Sequence, residues 1–184
     1  MFPKAHAVAY VMMAVRIAWY KVHEPTTFYI QVLSLRCDQY DLPVMMKGIE
    51  AIRERMDDIN TRLRTRDKVN PVTPKEEALV DTLEICEELY ARGYRIGNIS
   101  MKKSLATTFR VDPDDPKCFI PPFVVLEGLG AGVARSVEKA RDEQEFISKQ
   151  DILKRTQLSQ TAIKKLEKLG CLEGMQETNQ MSLF

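Results

Sequence analysis

The residues most able to do chemistry in this sequence are three glycines in the run Leu126-Glu-Gly-Leu-Gly-Ala-Gly-Val-Ala134. Gly128, Gly130 and Gly132 permit tight turning and let another molecule approach the backbone closely. A helix starting here, with Val133 and Val137 as packing residues, leaves its first N–H groups free at the positive end of its dipole. That arrangement suits a phosphate oxygen, and Arg135 adds a cation in the same helix. A second hairpin follows in Lys154-Arg-Thr-Gln-Leu-Ser-Gln-Thr-Ala162, ahead of Ile163, Leu166 and Leu169. Ser159 and Thr161 would place hydroxyls at the start of its second helix, with Lys164 and Lys165 beside them. Contacts of this kind meet phosphate rather than base, so binding would be independent of base sequence and sensitive to salt. The glycine spacing alone also fits a plain tight turn between helices. Repetition with basic flanks strengthens the case for a phosphate-bearing polyanion.

Other chemistries have weaker claims. Four cysteines, at 37, 86, 118 and 171, form no Cys-x-x-Cys pair, and with only two histidines they argue against zinc and for reduced thiols. Asp112-Pro-Asp-Asp115 has an acidic look, but it lies between two strand-like segments and carries turn chemistry, so it reads as a turn. No Ser/His/Asp or Cys/His set and no P-loop stands out. This chain on its own is expected to catalyse nothing and to hold no metal.

With 27 Lys and Arg against 26 Asp and Glu, the formal charge is +1, and no global field points to a polyanion. The charge is segregated, however. Leu89–Val111 carries five basic residues and no carboxylate, and Ser148–Gly170 carries six against two. Such segregation suits one anion-facing surface, or else solvated helix faces. The apolar stretch Ala5–Tyr20 is interrupted by His6 and Arg16 and falls short of a membrane span, so no membrane partner and a cytoplasmic location are expected.

The elements that must position these residues are mainly helical. Helices are predicted over 5–22 and 26–36, with Trp19 and Tyr20 in the core, then a longer helix capped by Asp41. That helix carries a stripe of Met45, Ile49, Ile52, Met56, Ile59 and Leu63. A loop over 65–74 leads to a helix that Thr73, Pro74 and Glu76 start and Gly93 closes, burying Leu79, Leu83, Cys86 and Tyr90. Short strands are predicted at 94–97, 107–111 and 118–120. Four short helices follow at 123–127, 131–142, 149–155 and 160–169, with Ser148 and Ser159 as caps and Gly170 after the last. Beyond Gly174 the polar sequence reads as a flexible tail.

Three stretches carry resemblances. The two hairpins resemble the helix-hairpin-helix motif, whose glycine-rich loop holds a DNA phosphate. The ending Gln180-Met181-Ser182-Leu183-Phe184 resembles the sliding-clamp-binding pentapeptide of bacterial replication proteins. In it, Gln180 would bond the rim of the clamp pocket, while Leu183 and Phe184 bury apolar area. The start, Phe2-Pro-Lys-Ala-His-Ala-Val-Ala-Tyr10, resembles a signature of the bacterial replicative DNA polymerase III alpha subunits, and the three together resemble the PolC class. The resemblance covers essentially the whole chain, as the C-terminal part of a longer polypeptide.

The resemblance implies a mainly α fold with a small β element. Residues 1–93 would be fingers-derived helices, 94–120 a strand-containing connector, 121–174 a tandem helix-hairpin-helix module and 175–184 a clamp-binding tail. It implies that Lys4, His6 and Tyr10 border the nascent base pair. The partners would be template–primer duplex, sliding clamp and the remaining polymerase domains. The Mg2+ of polymerisation would be held by palm carboxylates upstream of the matched region. A stand-alone, non-enzymatic adaptor that binds DNA and clamp is the alternative; an isolated fingers segment would expose apolar surface around Ala9, Met13 and Ile17.

Overall fold

The computed structural model describes residues 3–178. The chain is mainly helical, with one small sheet set between a helical body and the paired hairpins. Helix α1 (Lys4–His23) is followed at once by α2 (Pro25–Leu35), whose first position is proline, where the missing N–H costs no helix hydrogen bond. Tyr29 and Leu33 of α2 are fully buried, whereas α1 buries nothing. Trp19 and Tyr20, expected in the core, are each about half exposed. The physical reason is that α1 packs chiefly along α2 and is apolar around its whole circumference, so one neighbour covers only part of it. Ala9, Met13 and Ile17 are exposed, as the sequence led us to expect.

The single longer helix expected after Asp41 is two helices, α3 (Leu42–Lys47) and α4 (Ile49–Thr65). The break is Gly48 at φ +102°, a backbone conformation open to glycine and strained for other residues. Asp41 caps α3 by accepting from the Val44 N–H at 3.3 Å. The predicted stripe buries Met45, Ile52, Met56 and Ile59, but Leu63 at its end is exposed. The neighbouring Arg62 is buried in its place, bonding Glu76 at 2.6 Å and Asp58 at 2.9 Å. Glu76 also closes the capping box of α5 (Pro74–Ala91), accepting from the Thr73 N–H while Thr73 Oγ1 accepts from the Glu76 N–H. Held first by the Arg62 guanidinium and then by the Thr73 amide, the Glu76 carboxyl drops to about 2. On α5 the core face is Leu79, Leu83, Cys86 and Leu89. Tyr90 is only half buried and donates its hydroxyl to the Met45 carbonyl at 2.8 Å.

The sheet has the order β1 (Arg95–Ile96), β3 (Asp115–Ile120), β2 (Arg110–Asp112). β1 runs parallel to β3 with Ile96 opposite Phe119, and β2 runs antiparallel with Val111 opposite the same Phe119. Phe119 is fully buried and meets Tyr29 of α2 edge-on at 6.2 Å, joining sheet to body. The acidic turn narrows to Pro113 and Asp114, with Asp112 and Asp115 inside the strands.

A 3₁₀ turn (Phe123–Val125) leads to α6 (Ala131–Glu143), α7 (Lys149–Arg155) and α8 (Gln160–Lys168). One hydrophobic core runs from Tyr29 of α2 through the sheet to Ile152, Ile163 and Leu172 of the hairpin region. The predicted tail is held at its start, because Met175 packs on that core. The N–H groups of Lys149 and Gln150 donate to the carbonyls of Gln176 and Glu177 at 2.9 and 3.1 Å. Backbone pairing at the first residue of α7 explains the difference, and hydropathy alone does not reveal it. Among the described residues no helix is long and apolar enough to cross a membrane.

Candidate nucleic-acid interface

The first hairpin loop turns on Gly128, whose φ of +83° lies in the left-handed region. Gly130 then serves as the N-cap of α6 with no side-chain capping bond. Its φ of −75° suits any residue, and a Cβ at Gly130 or at Gly132 would meet nothing within 4 Å. The backbone therefore requires glycine at 128, while at 130 and 132 a side chain would fit. In a helix interior glycine costs roughly 0.5–1 kcal/mol relative to alanine. What these two glycines produce is bare backbone at a helix start, opening onto empty space. Ala134 bonds the Gly130 carbonyl at 3.0 Å, and the amides ahead of it form the first turn that points outward.

The second hairpin runs from α7 through 156–159 to α8. Its loop is pinned to the first, with Ser136 Oγ donating to the Val133 carbonyl at 2.7 Å and accepting from the Gln157 N–H at 3.0 Å. Lys165 makes the other clasp, donating to the Glu127 carbonyl at 2.8 Å and to Glu127 Oε2 at 3.0 Å. The two loops thus share a depression of about 300 Å³ lined by Gly128, Leu129, Val133, Ser159, Thr161 and Lys165, among others. Ser159 is the N-cap of α8, its hydroxyl accepting from the Ala162 N–H at 3.1 Å. Arg135 and Lys164 are exposed and have no ion-pair partner among the described residues.

So the structure brings Gly128, Ser159, Thr161 and Lys165 to one depression, with Gly130 and Gly132 open at the adjoining helix start. Lys4, His6 and Tyr10 are on α1 and take no part in it. The rings of His6 and Tyr10 lie 4.6 Å apart, edge to face, on an exposed helix. Gln180, Met181, Ser182, Leu183 and Phe184 lie outside the described residues, as does Phe2.

The two basic stretches are less available than their sequence suggests. Arg95 pairs with Asp115 at 2.7 Å, Lys103 with Asp112 and Asp114 at 2.6 Å each, and Arg92 with Glu88 at 3.0 Å. Arg155 works inside the fold. It bonds Asp151 at 3.0 Å, closes the C-terminal carbonyls of α6 at Ala140 and Gln144, and lies 5.0 Å from the Phe146 ring centroid. Lys149 pairs with Glu167 at 2.7 Å and with Glu177. Arg92 and Arg155 meet carboxylates one helical turn away, whereas Arg95 and Lys149 meet partners 18 or more positions off, which local charge counting cannot see. The same pairs settle the acidic turn. Lys103 holds the Asp112 carboxyl below its usual range, and the Lys117 amide followed by Arg95 does the same for Asp115, so both carboxylates are tied into the fold. Among the described residues no group of three or more His, Cys, Asp or Glu could hold a metal ion.

Sequence reasoning missed Ser136, Gln157 and Glu127. The first two carried no signal, being single polar residues among many. Glu127 carried a weak one, as a carboxylate next to the loop glycine in a region otherwise rich in cations.

Comparison with known proteins agrees with this geometry. A family model described as a helix-hairpin-helix motif matches residues 93–182. Over all 184 residues the chain is 45% identical to a DNA polymerase III PolC-type of Oceanobacillus iheyensis. It is 44% identical to one of Streptococcus pneumoniae and 45% to one of Lactococcus lactis. The chain spans 12%, 12% and 11% of the length of those relatives.

Proposed function

We infer from this kinship, which makes the chain a member of the PolC-type DNA polymerase III family over its whole length, that it grips template–primer duplex. The grip is through phosphate contacts at the paired hairpins. The observation that carries the reading is the bare start of α6, where Gly130 and Gly132 leave backbone amides open to an approaching anion. A phosphate oxygen seated there accepts from several N–H groups at once and meets the positive end of the α6 dipole. Arg135 and Lys164, without an ion-pair partner among the described residues, flank the loops and add attraction without reading sequence.

The rest of the reading concerns regions beyond the hairpins. The tail Gln180–Phe184 tethers the chain to the sliding clamp. Lys4, His6 and Tyr10 of α1 face the nascent base pair, with Tyr10 as a stacking surface. Residues 1–93 are then fingers-derived, 94–120 a connector and 121–174 the duplex-holding module. The carboxylates that bind Mg2+ and run polymerisation belong to the remaining polymerase domains, and this chain acts with them in the cytoplasm at the replication fork.

The test is a titration of the 184-residue chain with a fluorescent DNA duplex at two salt concentrations, alongside Gly130→Val. Duplex binding is expected to weaken steeply with salt, and Gly130→Val to weaken it at least about tenfold, about 1.4 kcal/mol. Equal binding by both proteins would falsify the hairpin reading. In a parallel arm, removing Leu183 and Phe184 is expected to abolish clamp binding and leave duplex affinity intact.

A further inference from the structure

The depression between the hairpin loops is lined by one cation, Lys165, and one carboxylate, Glu127, and the two are bonded to each other. The pair does two separable things. The bond from Lys165 to the Glu127 carbonyl docks the second hairpin on the first. The bond to the Glu127 carboxylate docks nothing further, since it sets a mobile anion on an ammonium already fixed by the carbonyl. The Glu127 side chain is 84% exposed and Lys165 38%, so the carboxylate can swing away without uncovering any core. The ammonium lies 4.0 Å from where a Cβ on Gly128 would stand, directly over the turn of the glycine loop.

We propose that Glu127 is a resident competitor of DNA phosphate, covering Lys165 in the free protein and yielding it when a backbone phosphate arrives. This rests on the duplex-binding reading above and concerns the strength of that binding. Seating a phosphate on Lys165 replaces one solvent-screened pair by another, so this lysine adds little net attraction. The displaced carboxylate then stays beside a polyanion. The number of phosphates neutralised is therefore about one fewer than the cations at the interface would suggest. A lower resting affinity suits a protein that must move along duplex rather than stay at one place. Lys165 holds the Glu127 carboxyl below its ordinary range, so the competitor remains charged at neutral pH and the effect is a constant one.

The experiment titrates the full chain with duplex between about 50 and 200 mM salt. It compares the natural sequence with Glu127→Gln, Lys165→Gln, the double variant and Gly130→Val. Glu127→Gln is expected to bind about threefold to fivefold tighter at low salt. Its log–log salt slope is expected to steepen by about 0.9, and its thermal midpoint to stay unchanged because the carbonyl bond remains. Lys165→Gln is expected to cancel that gain in the double variant. Glu127→Ala, which keeps the same carbonyl, repeats the carboxylate removal, and should Lys165→Gln prove poorly folded the proposal stands or falls on that affinity and its salt slope. The proposal is overturned if removing the carboxylate leaves affinity unchanged while Gly130→Val still weakens it. It is also overturned if the gain survives without Lys165. If Gly130→Val has no effect, the duplex-binding reading itself is what fails.

Discussion

The first hairpin joins a 3₁₀ turn to α6 and the second joins α7 to α8, and the two start their second helices in opposite ways. α6 begins at Gly130 with no side-chain cap and open space above its first turn. α8 begins at Ser159, whose hydroxyl accepts from one of the N–H groups an anion would otherwise meet. A cap and an anion site compete for the same donors, so a helix start can be completed from within or left for a ligand. The first hairpin is built to receive and the second is already closed, contributing side chains at its rim instead. On the duplex-binding reading proposed above, the first hairpin offers backbone donors and the second offers hydroxyl and ammonium groups.

The largest effect expected from this division is the loss of at least about tenfold in duplex affinity for Gly130→Val described above. The fold should stand, at a small cost for valine at the N-cap, since a Cβ added there meets nothing within 4 Å. Ser159→Ala breaks the symmetry from the other side. Losing the cap should cost about 1 kcal/mol of stability, read as a lower thermal or denaturant midpoint, with little change in duplex affinity. If it weakens binding as much as Gly130→Val, the second helix start is a phosphate site of equal rank and the contrast collapses. The smallest effect is expected for Lys164→Gln. This should weaken binding by a few-fold and make the salt slope shallower by about 0.9, with stability unaffected. A salt slope that does not move would remove Lys164 from the interface.

Much of this was legible because helix caps and loop glycines announce themselves locally. Thr73-Pro74 with Glu76 marked the start of α5, and Ser148 and Ser159 marked α7 and α8, as the structure has them. The break at Gly48 was not read, because a lone glycine inside an otherwise apolar-periodic stretch is also tolerated in a helix. Trp19 and Tyr20 were misplaced in the core because large aromatics are usually covered, and sequence does not say how many neighbours a helix has. The site divided in the same way. Gly128, Ser159, Thr161 and Lys165 could be named from their spacing. The Glu127–Lys165 and Ser136–Gln157 contacts that bring the loops together join residues 38 and 21 positions apart, and no local pattern encodes them. Charge was the least legible, since Arg95 and Lys149 meet carboxylates that only the fold brings to them.

The grip of residues 176 and 177 on the first residues of α7 has a mechanical meaning. A force applied to the C-terminal residues does not act on the whole chain evenly. It enters through two backbone hydrogen bonds and the Lys149–Glu177 ion pair, and from there passes along α7 into the second hairpin. From Glu177 to Gln180 is three residues, a reach of at most about 10 Å when fully extended. Any pull that reaches Glu177 is therefore handed to α7 and the second hairpin.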